Sequence, residues 1–149
     1  MPNTDFKDLD YNFSIEIKNK VPIVLKNEFK KELSNIDNEL IKYYFDLKRN
    51  ITKNYIISIE GIPIGYCSIF IDDSYWNLYE IYIKEDFREL GLATKLFQLI
   101  KKHSEEEEKK VRTYTLPSDR RAKNFYESNR ITARVLIMEE KRRTSRYKI

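Results

Sequence analysis

Three runs rich in isoleucine and tyrosine follow one another with almost nothing between them, at residues 54–60, 64–71 and 76–83. Gly61 and Pro63 separate the first pair, and Asp72-Asp73-Ser74 the second. Strand-forming residues joined by turns this short double back on themselves, so the segment reads as an antiparallel meander. A sheet of this kind has faces to cover, and the rest of the chain must supply the covering layers.

The flanks answer that demand. Residues 12–17 alternate Phe13, Ile15 and Ile17 against Ser14 and Glu16, the period of a half-buried strand. After Pro22, residues Leu25, Phe29, Leu33, Ile36, Leu40, Ile41, Tyr44, Phe45 and Leu47 recur at steps of three and four. They predict one long amphipathic helix or two shorter ones, with the break at residues 34–38, where cap- and turn-forming residues gather. Beyond the meander, residues 91–103 place Leu92, Leu96, Phe97, Leu99 and Ile100 on one helical face. A strand is expected at 111–116, a helix at 118–128 capped by Ser118 with Ala122, Phe125 and Tyr126 inward, and a closing strand at 131–138. The order predicts a mixed α/β layer structure, a mostly antiparallel sheet flanked by helices.

The chain has 149 residues, enough at this size to bury roughly 68–70 % of the unfolded surface without a covalent staple. We expect a single domain over residues 1–149, with looser ends at 1–10 and 141–149. Hydrophobic residues at 41 % and charged residues at 35 % exclude wholesale disorder. No apolar run approaches the roughly 18 residues of a membrane helix, residues 1–20 carry no readable signal peptide, and no internal repeat is visible. Cys67 and His103 are each the sole residue of their type, which excludes a disulfide framework and leaves no Cys/His metal site. A reducing, cytoplasmic setting and the absence of a metal are the matching expectations. The net charge of +4 suits an anionic small molecule as well as nucleic acid.

The chemistry gathers after the third strand of the meander, where Arg88-Glu89-Leu90-Gly91-Leu92-Ala93-Thr94-Lys95 leads into a helix. Gly91 permits unusual backbone angles or close approach, and Ala93 presents almost no side chain. The first-turn amides and the positive end of the helix dipole then form a nest for an anion such as a pyrophosphate, with charge added by Arg88 and Lys95. The plain alternative is a glycine that marks a loop before an ordinary helix.

Arg88-x-x-Gly91-x-Ala93 after a strand resembles the cofactor loop of the GNAT superfamily, the N-acetyltransferases that use acetyl-coenzyme A, usually written Arg/Gln-x-x-Gly-x-Gly/Ala. Downstream, Asp119-Arg120-Arg121-Ala122-Lys123-Asn124-Phe125-Tyr126-Glu127 is similar to a second signature of that family, Asn-x-x-Ala-x-x-(hydrophobic)-Tyr-Glu. Asp119 stands where the family commonly has Asn, and Arg130-Ile131 where it has Gly-Phe. The resemblance implies that the amides of Leu90, Gly91, Leu92, Ala93, Thr94 and Lys95 hold the pyrophosphate, aided by the Thr94 hydroxyl. It implies that the backbone of Ile81, Tyr82 and Ile83 pairs with pantetheine as an added strand. Asp119, Ala122 and Asn124 fall in the second cofactor-binding segment.

Under that resemblance Tyr126 is the candidate general acid for the departing coenzyme A thiolate, against the plain reading of a helix tyrosine at the core edge. Glu80 is the candidate general base for the acceptor ammonium, against an exposed carboxylate or one that only holds the amine. Alternation sets Glu80 and Tyr82 on one face of their strand and Ile81 and Ile83 on the other. Tyr75, Trp76, Tyr79, Tyr43 and Tyr44, with Asp72 and Asp73, could line an acceptor cleft, though aromatic packing explains the tyrosines and tryptophan more simply. Cys67 reads as a buried packing residue, His103 as a surface residue, and residues 105–108 as a solvated helix end. The implied co-substrates are acetyl-coenzyme A and an amine, on a small molecule or a protein, with no membrane and with a homodimer left open. A coenzyme-A-binding regulator without turnover is the alternative. Nucleic-acid binding through the basic residues 141–148 is the lesser one.

Overall fold

The structure, a computed structural model, describes residues 4–8, 10–42, 50–51, 53–136 and 138–140. At its centre β3 (Lys53–Ile59), β4 (Ile62–Ile71) and β5 (Tyr75–Ile83) form the antiparallel meander that their turns imply. β2 (Tyr11–Lys18) adds antiparallel to β3, β1 (Thr4–Asp8) adds antiparallel to β2, and β6 (Lys110–Thr113) adds parallel to β5. Sheet order is therefore sequence order, β1 to β6. Thr4–Asp8 departs from the loose end expected at residues 1–10. Phe6 stacks on Phe13 at 5.2 Å, and the open edge of β2 supplies a ladder.

Each face of the sheet carries its own core. On one, α1 (Ile23–Ile36) buries the stripe Leu25, Phe29 and Leu33 against Ile56, Tyr66, Phe70, Tyr79, Tyr82 and Leu116. On the other, α2 (Leu92–Glu106) and α3 (Arg120–Ser128) cover Tyr55, Ile57, Cys67, Ile69, Trp76, Leu78 and Ile83. The break in the first helical region falls where the caps gather. α1 stops at Ile36, and the Asp37 side chain accepts from the N–H groups of Glu39 and Leu40 to start a new turn. Tyr43, Tyr44, Phe45 and Leu47 lie outside the described residues, as do residues 141–149.

Two bulges shape the central strands. Ser68 pairs with Glu80 but Ile69 pairs with Leu78, so Tyr79 is an extra residue on β5. Leu78 and Ile81 thus share the α2–α3 face, while Tyr79 and Glu80 turn together toward α1. The register also shifts between β3 and β4 beside Gly65. A Cβ there would lie 2.7 Å from the Tyr82 carbonyl oxygen, so only glycine lets β5 come this close.

The strand expected at 131–138 is absent among the described residues of that segment. Val135 and Met138 are each 84 % exposed. Alternation signals strand character, but a strand needs an edge to pair with, and among the described residues of the segment only Ile131 packs against the core. The helix before it closes without glycine. Arg130 adopts φ 66°, and the N–H of Ile131 bonds to the carbonyl of Tyr126 at 2.9 Å.

Candidate active site

β5 and β6 share four rungs, from Tyr75 opposite Lys110 to Leu78 opposite Thr113. β5 then runs on to Ile83 while β6 stops. Among the described residues no strand pairs with residues 79–83 on that side, so main-chain groups there are open to a ligand. At the far end the Ile83 carbonyl accepts from Arg88 Nε at 2.8 Å.

A 3-10 turn at Glu85–Phe87 follows, and then two left-handed residues, Glu89 at φ 70° and Gly91 at φ 73°. Gly91 is the N-cap of α2, and no side chain caps that helix. The first intrahelical bond runs from Lys95 N to Gly91 O at 3.1 Å. The amides of Leu92, Ala93 and Thr94 are left without intrahelical partners. The space where a Gly91 side chain would sit is open. Leu92 is buried, whereas Leu90, Ala93 and Thr94 are half-buried. An uncapped helix start behind a left-handed glycine suits an anion.

The two cations expected to serve that nest are engaged elsewhere. Lys95 Nζ rests over the Phe6 ring, 4.9 Å from its centroid. Arg88 reaches back to Glu32 of α1, with Nη1–Oε1 at 2.8 Å and Nη2–Oε2 at 3.0 Å, and lies over the Tyr82 ring. The Glu32 Oε1 atom also takes Arg121 Nη1 at 3.3 Å. Asp119 caps α3, its Oδ1 accepting from Ala122 N at 3.0 Å. Burial pushes the Asp119 carboxyl up, and that bond and Arg88 hold it back. Asn124 is exposed on α3.

Tyr126 points the other way from Asn124, into the core, at 4 % exposure. Burial pushes its phenol well above the usual tyrosine value, with Cys67 and Asp119 adding to the effect. The group is therefore a proton carrier at neutral pH. The ring belongs to the core cluster that holds Cys67, Ile83 and Leu92, against which Ile81 and Ala122 also pack. Among the described residues nothing hydrogen-bonds the Tyr126 hydroxyl. Cys67 itself is buried, and burial raises its thiol well above the ordinary range, which keeps it inert.

Glu80 lies across the sheet, 2 % exposed and committed. Both of its oxygens accept from Lys26 Nζ of α1, Oε1 at 2.6 Å, and Oε1 also accepts from the Tyr66 hydroxyl at 2.8 Å. Tyr82 donates to Glu28 of α1 at 3.0 Å, while Ile81 and Ile83 pack on the opposite face.

Trp76 and Tyr79 pack as the simpler reading has it, not as a cleft lining. Trp76 is fully buried and donates to Glu107 at 3.1 Å, and Tyr79 packs with Phe70 and Tyr114. Asp72 accepts from Ser74 N, Tyr75 N and Asn77 Nδ2 and pairs with Arg112, which fixes the β4–β5 turn at the opposite end of β5 from Gly91. His103 is no free surface residue. It shares a hydrogen bond of 2.6 Å with Tyr55, and burial lowers its pKa. The residues missed by the sequence reading are Lys26, Glu28 and Glu32, polar positions beside the α1 stripe. Their only sequence signal is that flanking spacing, which names no partner.

Residues 23–130 match the family described as acetyltransferase (GNAT). No curated protein sequence matches the chain. Among solved structures the chain is similar to a possible acetyltransferase from Clostridium difficile 630, with a TM-score of 0.59 and 19 % identity over 88 % of this chain and 99 % of that one. It is similar to an aminoglycoside N-acetyltransferase in complex with CoA, with a TM-score of 0.59 and 14 % identity over 90 % of this chain and 97 % of that one. It is similar as well to a ribosomal-protein-alanine N-acetyltransferase from Brucella melitensis biovar Abortus 2308, with a TM-score of 0.59 and 15 % identity over 85 % of this chain and 98 % of that one. At these identities the structural likeness speaks for the fold, and the match over residues 23–130 for the family: the chain belongs to the acetyltransferase (GNAT) family.

Proposed function

We propose that the protein transfers an acetyl group from acetyl-coenzyme A to a primary amine by direct attack within a ternary complex. The observation that carries this reading is the open edge of β5 at residues 79–83, which runs toward the uncapped start of α2, with Tyr126 in the core cluster that Ile83 and Leu92 share. The residues fit the co-substrate. The amides of Leu92, Ala93 and Thr94 would take the diphosphate, and the backbone of Ile81 to Ile83 the pantetheine arm. A solved neighbour in complex with CoA lends support.

Acetyl-coenzyme A supplies a thioester carbonyl. A neutral amine attacks that carbon, the carbon–sulfur bond breaks, and the sulfur leaves with the electron pair. Tyr126, kept protonated by burial, would give the thiolate its proton. Holding both substrates in one cleft contributes much of the rate. Lys26 and Tyr66 already engage Glu80, so the ammonium proton leaves to water in this reading, and Glu80 keeps its strand charge-balanced against α1. Glu80→Gln should then leave the pH–rate profile in place. A shift of that profile would return the role of base to Glu80.

The aminoglycoside and ribosomal-protein acetyltransferases among the neighbours make a small polyamine or a protein amino terminus the first acceptors to try. The engagement of Glu80 also favours a second reading, a coenzyme-A-binding protein without turnover. A thiol-release screen with acetyl-coenzyme A against diverse amines separates the two. Turnover on any amine supports the enzyme. Coenzyme A binding with no thiol release on any of them supports the binder.

A further inference from the structure

Among the described residues, Glu32 is the one carboxylate that pairs with both Arg88 and Arg121. It reaches Arg88 of the cofactor loop with both oxygens, the forked geometry in which guanidinium groups also hold phosphates. Arg88 is anchored at the end of β5 by its Nε bond to Ile83 O, so only its outer nitrogens are held by Glu32. Arg121 lies on the first turn of α3, where the helix end itself favours an anion. The surroundings are already rich in carboxylate. Asp119 and Glu85 both act on Glu32, and burial raises its carboxyl despite Arg88. A phosphate cannot simply join this cluster, because each added negative charge is repelled by those present. It can only be exchanged for Glu32.

We propose that Glu32 is an internal stand-in for a phosphate of coenzyme A. Its carboxylate holds Arg88 and Arg121 in the free protein and surrenders them when the co-substrate arrives, which releases α1 from the cofactor loop. This inference rests on the reading that the protein binds coenzyme A. It makes α1 a participant in binding, since the same helix carries Lys26 against Glu80 and Glu28 against Tyr82. Occupation of the phosphate site is thereby felt at the buried face of β5.

Calorimetric titration of coenzyme A into the wild type and Glu32→Gln tests it, with thermal unfolding of both as the check on folding. Removing the competing charge should tighten binding by about fivefold or more. Unchanged or weaker binding in a folded variant overturns the proposal, the weaker result making Glu32 a residue that merely positions Arg88. Hydrogen exchange on the wild type needs no variant. Coenzyme A should speed exchange at the amides of Ile23–Ile36 as α1 loses its tie to the loop, and slower exchange there counts against the exchange of partners. If neither protein binds coenzyme A, the proposed function falls together with this inference, an outcome distinct from equal binding by both.

Discussion

Three single residues carry separable predictions. Tyr126→Phe removes a hydroxyl and keeps the ring that packs among core residues. Turnover should fall by about 10²–10⁴-fold with little change in coenzyme A affinity; steady-state kinetics beside calorimetry checks the split. Gly91 holds φ 73° with open space at its Cβ, so size and conformation can be tested apart. Gly91→Ala should cost about 1–2 kcal/mol of stability from the left-handed backbone alone. Gly91→Glu should in addition abolish coenzyme A binding, because it sets a negative charge at the proposed diphosphate site. Arg130 sits at φ 66° where the family has glycine. Arg130→Gly should therefore stabilise the fold by about 1 kcal/mol in denaturant melts, because glycine meets no steric penalty there. The sequence flagged that position as a departure from the family, and the helix nevertheless closes in the usual way. A residue-type mismatch does not by itself report a different backbone.

Among the elements, legibility followed the strength of local pattern. The meander was readable because alternation and turn residues agree over residues 54–83. The break after α1 was readable because Asp37 does locally what its chemistry suggests. β1 was hidden, since Thr4–Asp8 offers a single large apolar residue, Phe6, whose value depends on meeting Phe13. The segment at 131–138 misled in the opposite direction, because its pattern carries no information about whether an edge is available. The candidate site divides likewise. The loop and its glycine are sequence-local, whereas the Arg88–Glu32 pair joins residues 56 positions apart. At the same scale Asp72 predicts an acid response. Hydrogen bonding from Asn77, with the amides of the turn and Arg112, brings its carboxyl down to about 2. A depressed carboxylate stabilises the fold above its unfolded value, and that contribution is lost as pH falls from about 4 toward 2. Asp72→Asn should melt earlier at pH 6 and lose less stability over that acid window than the wild type, measured by urea unfolding across pH 2–6.

On the scale of the whole molecule, the proposed binding mode draws on β5, the start of α2 and the start of α3 at once. Elements this far apart in sequence are brought together only in the folded state, so the unfolded chain should have no affinity for coenzyme A. At a hundredfold excess over the dissociation constant the ligand should stabilise the fold by about 2.7 kcal/mol. For a chain of this length that is an upward Tm shift of roughly 5–10 °C. Differential scanning calorimetry with and without coenzyme A reads it directly, and an unmoved transition would argue against the site.

Under the proposed function, the four shared rungs of β5 and β6 have a consequence for which acyl chains would fit. In the proposed binding mode, the point where the two parallel strands unzip sets how deep a thioester would slide before it meets paired backbone. One further rung would shorten that slot by roughly 3.3 Å, about the length of two or three methylene groups. The zipper is thus a ruler written in main-chain bonds, and its length can be altered without touching any side chain that does chemistry.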